Sequence, residues 1–234
     1  FTRLALGPHL ERIGLVPRPG EPRDAMLLRS RLVPALADMG QHDGIRVRAR
    51  EAADAFLEGD TLGFTSEELR VLVPLASWDG DLVHWQRLHT ALLATDRPAR
   101  RRNLVAALGS FDDPTLAVKT LELVLDGTLR AEEWGAVSGT RPRARDGVWD
   151  WVTRNHDALV ARLGELRAAN LPWIAARFCS EERRMEVEAF FRGLPPQPGR
   201  KRNLALALED VERCSAARET LGEPMRAWLA GLPR

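Results

Sequence analysis

The stretch LVAALGSFDDPTLAVKTLELVLDGTLR, residues 104–130, predicts the end of one helix, a short connection and a complete second helix. Apolar residues recur in its second half at i, i+4, i+7 and i+8, which places them on one helix face: Ala117, Leu121, Val124 and Leu125. No residue in this stretch has an obvious catalytic role. The question is what kind of protein such units build.

Capping residues mark the ends of both helices. Asp113 is a natural N-cap, and Pro114 fits the first helical position because its missing N–H costs nothing there. Gly127 suits the left-handed position that ends a helix. The preceding helix is predicted to begin near Pro98 and to end at Gly109 in the same manner. The stretch 98–127 therefore predicts two antiparallel helices joined by a short loop.

Two further stretches, 32–59 and 69–96, repeat this helix–loop–helix pattern. Their loop aspartates are Asp43 and Asp79. Asp43 and Asp79 are 36 residues apart, and Asp79 and Asp113 are 34 apart, a period typical of stacked helix-pair repeats. Further helices are predicted downstream, with Gly/Pro breaks at 193–198 and 222–224. They cover residues 147–163, 165–178, 180–192, 200–215 and 218–230.

The patterns predict an all-α fold: an α-solenoid, a superhelical array of HEAT- or ARM-like helical hairpins. No convincing alternation of apolar and polar residues indicates a strand. We expect one helical-repeat domain over 1–234, and a looser division into sub-arrays 1–130 and 131–234 stays open. Seven Trp residues spread along the chain are expected to anchor one helix pair on the next.

The composition argues against several classes of partner. The 34 basic and 33 acidic residues give a net charge of +1, which provides no long-range attraction to nucleic acid or an anionic membrane. No stretch approaches the roughly 18 apolar residues of a membrane span. Two cysteines, Cys179 and Cys214, form neither a metal pattern nor a disulfide framework. We interpret them as buried or idle thiols in a reducing compartment and expect a cytoplasmic location.

A search for chemistry finds no catalytic motif. None of the five His residues is followed by Glu or has another His four residues on, so the zinc-hydrolase pattern HExxH is missing. GAVSG at 135–139 lacks the spacing and context of a serine nucleophile. A phosphate-binding glycine loop is also missing. We therefore expect no catalytic residue, metal ligand or cofactor in this chain.

Three arginine clusters remain, at 97–102, 141–145 and 199–202. The first is more typical of a solvated helix face. The second lies in a long loop rich in Gly, Pro and Arg, 135–147, and such loops are often functional. Its three arginines, Arg141, Arg143 and Arg145, are the candidate residues for contact with a ligand.

Several stretches together resemble the C-terminal helical domain of M1-family zinc aminopeptidases, the ERAP1-like C-terminal domain. The most specific are ALG and DPTL within 106–116, Leu129–Arg130, and W-x-W-V-x-x-N over 149–155. The resemblance runs in order from about Glu11 to Leu229. At His156 the family usually has Trp, and Ala216–Ala217 stand about where another family Trp would fall.

The resemblance implies that an upstream domain of the same polypeptide carries HExxH and one zinc ion, and that the whole enzyme removes N-terminal residues from peptides. We expect a bacterial origin. This chain would be catalytically silent. It would enclose the peptide substrate and help hold its distal end through arginines on a concave face. An opening without Met, FTRLALGPHL, is expected of a piece of a longer chain.

Two other functions stay open on the residues alone. The chain could be a stand-alone HEAT-like scaffold that recruits another protein through its concave face. It could instead be a HEAT-like nucleic-acid binder that uses the arginine clusters. An HExxH domain encoded upstream favours the enzyme, and a start codon beside Phe1 favours the scaffold.

Overall fold

A computed structural model describes residues 1–18, 20–139 and 141–232 of the protein. Every regular element within these ranges is a helix, and they contain no strand, which confirms the all-α prediction. The chain divides into two compact units. Unit 1 comprises Phe1–Ala117 with Arg141–Arg143, and unit 2 comprises Val118–Thr140 with Ala144–Arg234.

Unit 1 is built from consecutive helix pairs. Its helices are α1 (Thr2–Ile13), α2 (Arg23–Asp38), α3 (Asp43–Glu58), α4 (Ser66–Ala76), α5 (Leu82–Leu93) and α6 (Pro98–Leu108). Consecutive helices pack as α1 on α2, α3 on α4, and α5 on α6, while α4 also packs extensively on α6 and lies beside α2. The repeat is therefore a helix pair, as the sequence period predicts.

The boundaries of the repeat differ from the prediction. The stretches 32–59 and 69–96 join the second helix of one pair to the first helix of the next, so Asp43 and Asp79 lie between pairs. Small side chains help to explain the observed pairing, because they allow helices to approach closely. Ala49, Ala52 and Ala53 on α3 are fully or almost fully buried.

The predicted caps of the opening stretch are present around α7 (Pro114–Leu125). The Asp113 carboxylate accepts hydrogen bonds from the backbone N–H of Thr115 at 2.9 Å and of Leu116 at 3.0 Å. Gly127 has a φ of +90°, the left-handed conformation expected of it. Gly109 does follow the end of α6, but its φ is −77°, so the predicted left-handed cap is wrong there.

Unit 2 contains shorter helices than predicted and one longer helix. They are α8 (Trp134–Val137), α9 (Arg145–Arg154), α10 (His156–Leu163), α11 (Glu165–Ala168), α12 (Glu181–Arg192) and α13 (Arg200–Ala230), with 3₁₀ helices at Ala131–Glu133 and Leu171–Arg177. The predicted helix 147–163 is divided between α9 and α10. The predicted helix 165–178 is α11 followed by the second 3₁₀ helix.

The predicted break at 222–224 is wrong, because α13 continues through it. Pro224 removes the N–H that would bond to the carbonyl of Thr220. Thr220 is exposed, so water can satisfy that carbonyl and the helix need not end.

Trp149 forms the centre of the core of unit 2. Its side chain is 1% exposed, and its indole N–H donates to Glu186 Oε1 at 2.8 Å. The rings of Phe178, Phe190 and Phe191 lie 5.6–6.0 Å from its ring. The anchoring role predicted for Trp suits this residue but not all seven, since Trp173 and Trp228 are exposed.

The two cysteines are not idle thiols, and that expectation is wrong. Cys179 and Cys214 form a disulfide with their Cα atoms 5.0 Å apart. The bond joins the segment before α12 to the middle of α13, across a sequence separation of 35 residues. The sequence alone could not show that these distant cysteines meet.

Breaking the disulfide is expected to lower the free energy of unfolding by about 3–4 kcal/mol, because the unfolded chain regains the entropy of a loop of this size. Urea unfolding of the oxidised and the reduced protein measures the change. Cys214→Ser is the control, and reductant should not alter its midpoint. Equal midpoints for the oxidised and reduced wild-type protein would contradict the expectation.

Candidate functional site

Arg141 is bound within unit 1. Its Nη2 lies 3.0 Å from Asp38 Oδ1, and its guanidinium carbon lies 3.9 Å from the centre of the Trp78 ring. The same guanidinium thus makes both an ion pair and a cation–π contact. Arg141 therefore has a structural role that explains its presence without a ligand.

Arg143 is also in unit 1 but is held more loosely. Its backbone N–H donates to Asp112 Oδ1 at 2.9 Å, while its Nε lies 3.9 Å from Asp112 Oδ2. The side chain is 77% exposed. An exposed pair at this distance contributes little to stability, so the guanidinium is available to a ligand.

Arg145, the first residue of α9, lies in unit 2 and lacks an anionic partner. Among the described residues, no carboxylate lies within salt-bridge distance of it, and its buried Nε has no hydrogen-bond partner. Burial and the nearby charge of Arg177 lower the pKa of Arg145, which Asp146 offsets in part. Asp146 itself binds Arg183 at 2.7 Å.

The charges of Arg145 and Arg177 thus interact as a cationic pair, and no carboxylate of the described residues lies within salt-bridge distance of Arg145. Two guanidiniums can hold one carboxylate or phosphate through several charge-assisted hydrogen bonds. Arg177 was missed in the sequence because it stands alone, at the end of the 3₁₀ helix Leu171–Arg177 and outside every arginine cluster. Only the fold brings it near Arg145.

Unit 1 also contains a groove that the sequence did not indicate. It has a volume of about 1450 Å³ and lies among the end of α3, the start of α4, and α5 and α6. Arg97, Arg100 and Arg102 of the first arginine cluster line it. Arg100 donates to the carbonyls of Phe56 at 2.7 Å and Leu57 at 3.2 Å, whereas Arg97 and Arg102 are exposed.

Among the described residues, no histidine joins a cluster of three possible metal ligands. His84 Nε2 lies 3.2 Å from Ser77 Oγ, but Ser77 is fully buried and cannot reach a substrate. Burial and the charge of Arg87 lower the pKa of His84. Within the described ranges, no three His, Cys, Asp or Glu side chains come together as metal ligands, so the residues present do not fit a zinc ion.

Comparison with known families adds the decisive observation. The sequence model of the protein family described as the ERAP1-like C-terminal domain matches residues 1–213 of the chain. The chain belongs to this family. The match covers all of unit 1 and unit 2 as far as Arg213, so Cys214 and the rest of α13 lie outside it. The family consists of C-terminal domains of ERAP1-like aminopeptidases.

Other comparisons add little to the family assignment. No curated protein matches the chain closely enough to provide a second relative. In the described part of the chain, none of the helices combines the length and apolar character that crossing a bilayer requires.

The different surroundings of the arginines predict different effects on stability. Arg141→Ala should lower the free energy of unfolding by about 1–3 kcal/mol, since it removes an ion pair and a ring contact. Arg145→Gln should leave the free energy of unfolding unchanged or raise it slightly, because it relieves repulsion from Arg177. Chemical denaturation measures both, with Arg143→Gln as the near-neutral control. A loss at Arg145 as large as that at Arg141 would contradict the assignment of an unpaired charge.

Proposed function

We propose that the chain is the substrate-enclosing C-terminal domain of an M1-like zinc aminopeptidase and has no catalytic site of its own. The family match over residues 1–213 carries this proposal. In the whole enzyme, zinc in an upstream domain activates the water that cleaves the N-terminal peptide bond. This chain covers the cleft and selects substrates by length.

The Arg145–Arg177 pair is the proposed contact for the distal carboxylate of the peptide. Among the described residues no carboxylate lies within salt-bridge distance of Arg145, and its buried Nε has no hydrogen-bond partner, which supports this role. A carboxylate there would offset the repulsion between the two guanidiniums. Arg143 is a secondary candidate because its guanidinium is exposed. Arg141 is not proposed as a contact, since Asp38 and Trp78 already hold it.

The purified chain is expected to bind no stoichiometric zinc and to cleave no peptide. Metal analysis after dialysis against zinc, together with an assay on aminoacyl-4-nitroanilides, tests both points. Stoichiometric zinc that supports hydrolysis would overturn the proposal of catalytic silence. The family assignment rests on separate ground and would stand.

Binding of a peptide with a free C-terminus tests the carboxylate contact. The chain should bind it at least about ten-fold more tightly than the same peptide with a C-terminal amide, since charge-assisted hydrogen bonds contribute about 1.5–3 kcal/mol. Arg145→Gln or Arg177→Gln should abolish this preference. Arg154→Gln, at the exposed end of α9, is the matched control. An unchanged preference in Arg145→Gln would remove Arg145 from the site.

The two alternatives have direct tests. A gene that encodes an HExxH domain upstream of Phe1 decides for the enzyme, and a start codon there decides for a scaffold. Salt-dependent binding to duplex DNA would support the nucleic-acid binder. Arg100 and Arg141 already make internal contacts, which leaves fewer of the clustered arginines for such binding.

The cytoplasmic location stays a prediction. The disulfide bears on it, because disulfides persist mainly in oxidising compartments. Rapid alkylation of thiols in whole cells, followed by mass spectrometry of Cys179 and Cys214, distinguishes the cytoplasm from an oxidising compartment. Alkylated thiols fit the cytoplasm, and an intact disulfide argues for an oxidising compartment.

A further inference from the structure

The disulfide between Cys179 and Cys214 is accessible to solvent. Cys214 is an exposed residue of α13, and Cys179, which precedes α12, is half-buried. A cavity of about 400 Å³ adjoins Cys179, and its wall continues through Ser180, Glu181 and the part of α13 from Ser215 onward. Exposed disulfides are the ones that thiol reductants attack most readily. A dissolved dithiol therefore reaches this bond while the protein stays folded.

The bond lies at the boundary between the buried and the exposed half of α13. The helix packs on the 3₁₀ helix Leu171–Arg177 and on α12. Ser215, one residue beyond Cys214, is its last buried residue in the described chain. From Ala216 to Ala230 every residue except Gly222 is exposed. The disulfide thus ties α13 to its neighbours where the helix leaves the core of unit 2.

The exposed half of α13 has little helical stability of its own. Isolated helices of this length are marginal in water even when their residues favour a helix. Gly222 and Pro224 lie within this half, and glycine and proline are the two least favourable residues in a helix interior. Its helical conformation therefore depends on the preceding turn, which the disulfide fixes at Cys214.

We propose that the Cys179–Cys214 bond is a thiol-sensitive clamp on the second half of α13. In the oxidised protein the clamp keeps the helix continuous to Ala230. In the reduced protein the helix unwinds from its C-terminal end back to the buried turn at Val211, while the buried half stays folded. The proposal does not depend on aminopeptidase function, and Cys214 lies outside the residues that the family model matches.

The chemistry of release is thiol–disulfide exchange with a dithiol reductant. One thiolate of the reductant attacks Sγ of Cys214, and Sγ of Cys179 leaves as a thiolate that takes up a proton. The second thiol of the reductant then attacks its own sulfur in the mixed disulfide and releases Cys214 as a thiol. Two electrons pass to the protein, and the reductant becomes a disulfide.

Hydrogen–deuterium exchange with mass spectrometry, measured on the whole chain with and without dithiothreitol, tests the clamp. Reduction should lower the protection of amides in residues 216–230 at least about ten-fold. Protection in residues 204–211 and in α9 should change by less than about two-fold, because burial holds these segments independently of the bond. Reoxidation with oxidised glutathione, after removal of dithiothreitol, should restore the protection of 216–230.

Two variants provide matched controls. Cys214→Ser should show the exchange pattern of the reduced protein whether or not dithiothreitol is present. Glu212→Ser changes an exposed residue of the same helix and retains both cysteines, so it should respond to dithiothreitol as the wild-type protein does. The comparison of oxidised with reduced wild-type protein does not depend on the folding of either variant.

The rate of thiol release tests whether the reductant attacks the folded protein. This rate should rise in proportion to dithiothreitol concentration, whereas a bond that opens only after unfolding gives a plateau. Three results would each overturn the proposal: equal exchange of 216–230 in the oxidised and reduced proteins, a loss of protection spread evenly over unit 2, or a plateau in the rate of thiol release.

Discussion

The burial of one apolar face by each short helix is the constraint on which the rest of the structure depends. Leu36, Ile45, Leu88 and Leu104, on four different helices of unit 1, are completely buried. Each such side chain contributes about 1.5–3 kcal/mol through removal from water. A single helix of this length cannot retain that burial alone. Each pair therefore needs its neighbour.

Arginine side chains bind backbone carbonyls and carboxylates around the packed helices. Arg162 donates to the carbonyls of Val124 at 2.8 Å and Leu129 at 2.9 Å, and Arg29 pairs with Glu21 at 2.6 Å while buried. The guanidinium suits these tasks because its donors form a rigid fork. Arg145 differs, since its buried Nε has no hydrogen-bond partner and no carboxylate among the described residues lies within salt-bridge distance of it. Its charge supports the proposed contact with a substrate carboxylate.

Local features were predictable from the sequence, and features that depend on distant contacts were not. Asp113 caps its helix through bonds that span two or three residues, so the pattern alone identified it. Arg141 pairs with Asp38, 103 residues away, which the sequence could not show. Cys179 likewise meets Cys214 only in the folded chain. The family resemblance succeeded because order and spacing along the chain are themselves sequence properties.

The central claim is that this chain contributes substrate holding and an upstream domain contributes chemistry. The most direct measurement compares the whole enzyme, expressed from the complete gene, with its Arg145→Gln variant on two substrates. We expect kcat/KM to fall about ten-fold or more for a peptide with a free C-terminal carboxylate. It should stay unchanged for a single aminoacyl-4-nitroanilide. Equal loss on both substrates, or no loss on either, would contradict the account.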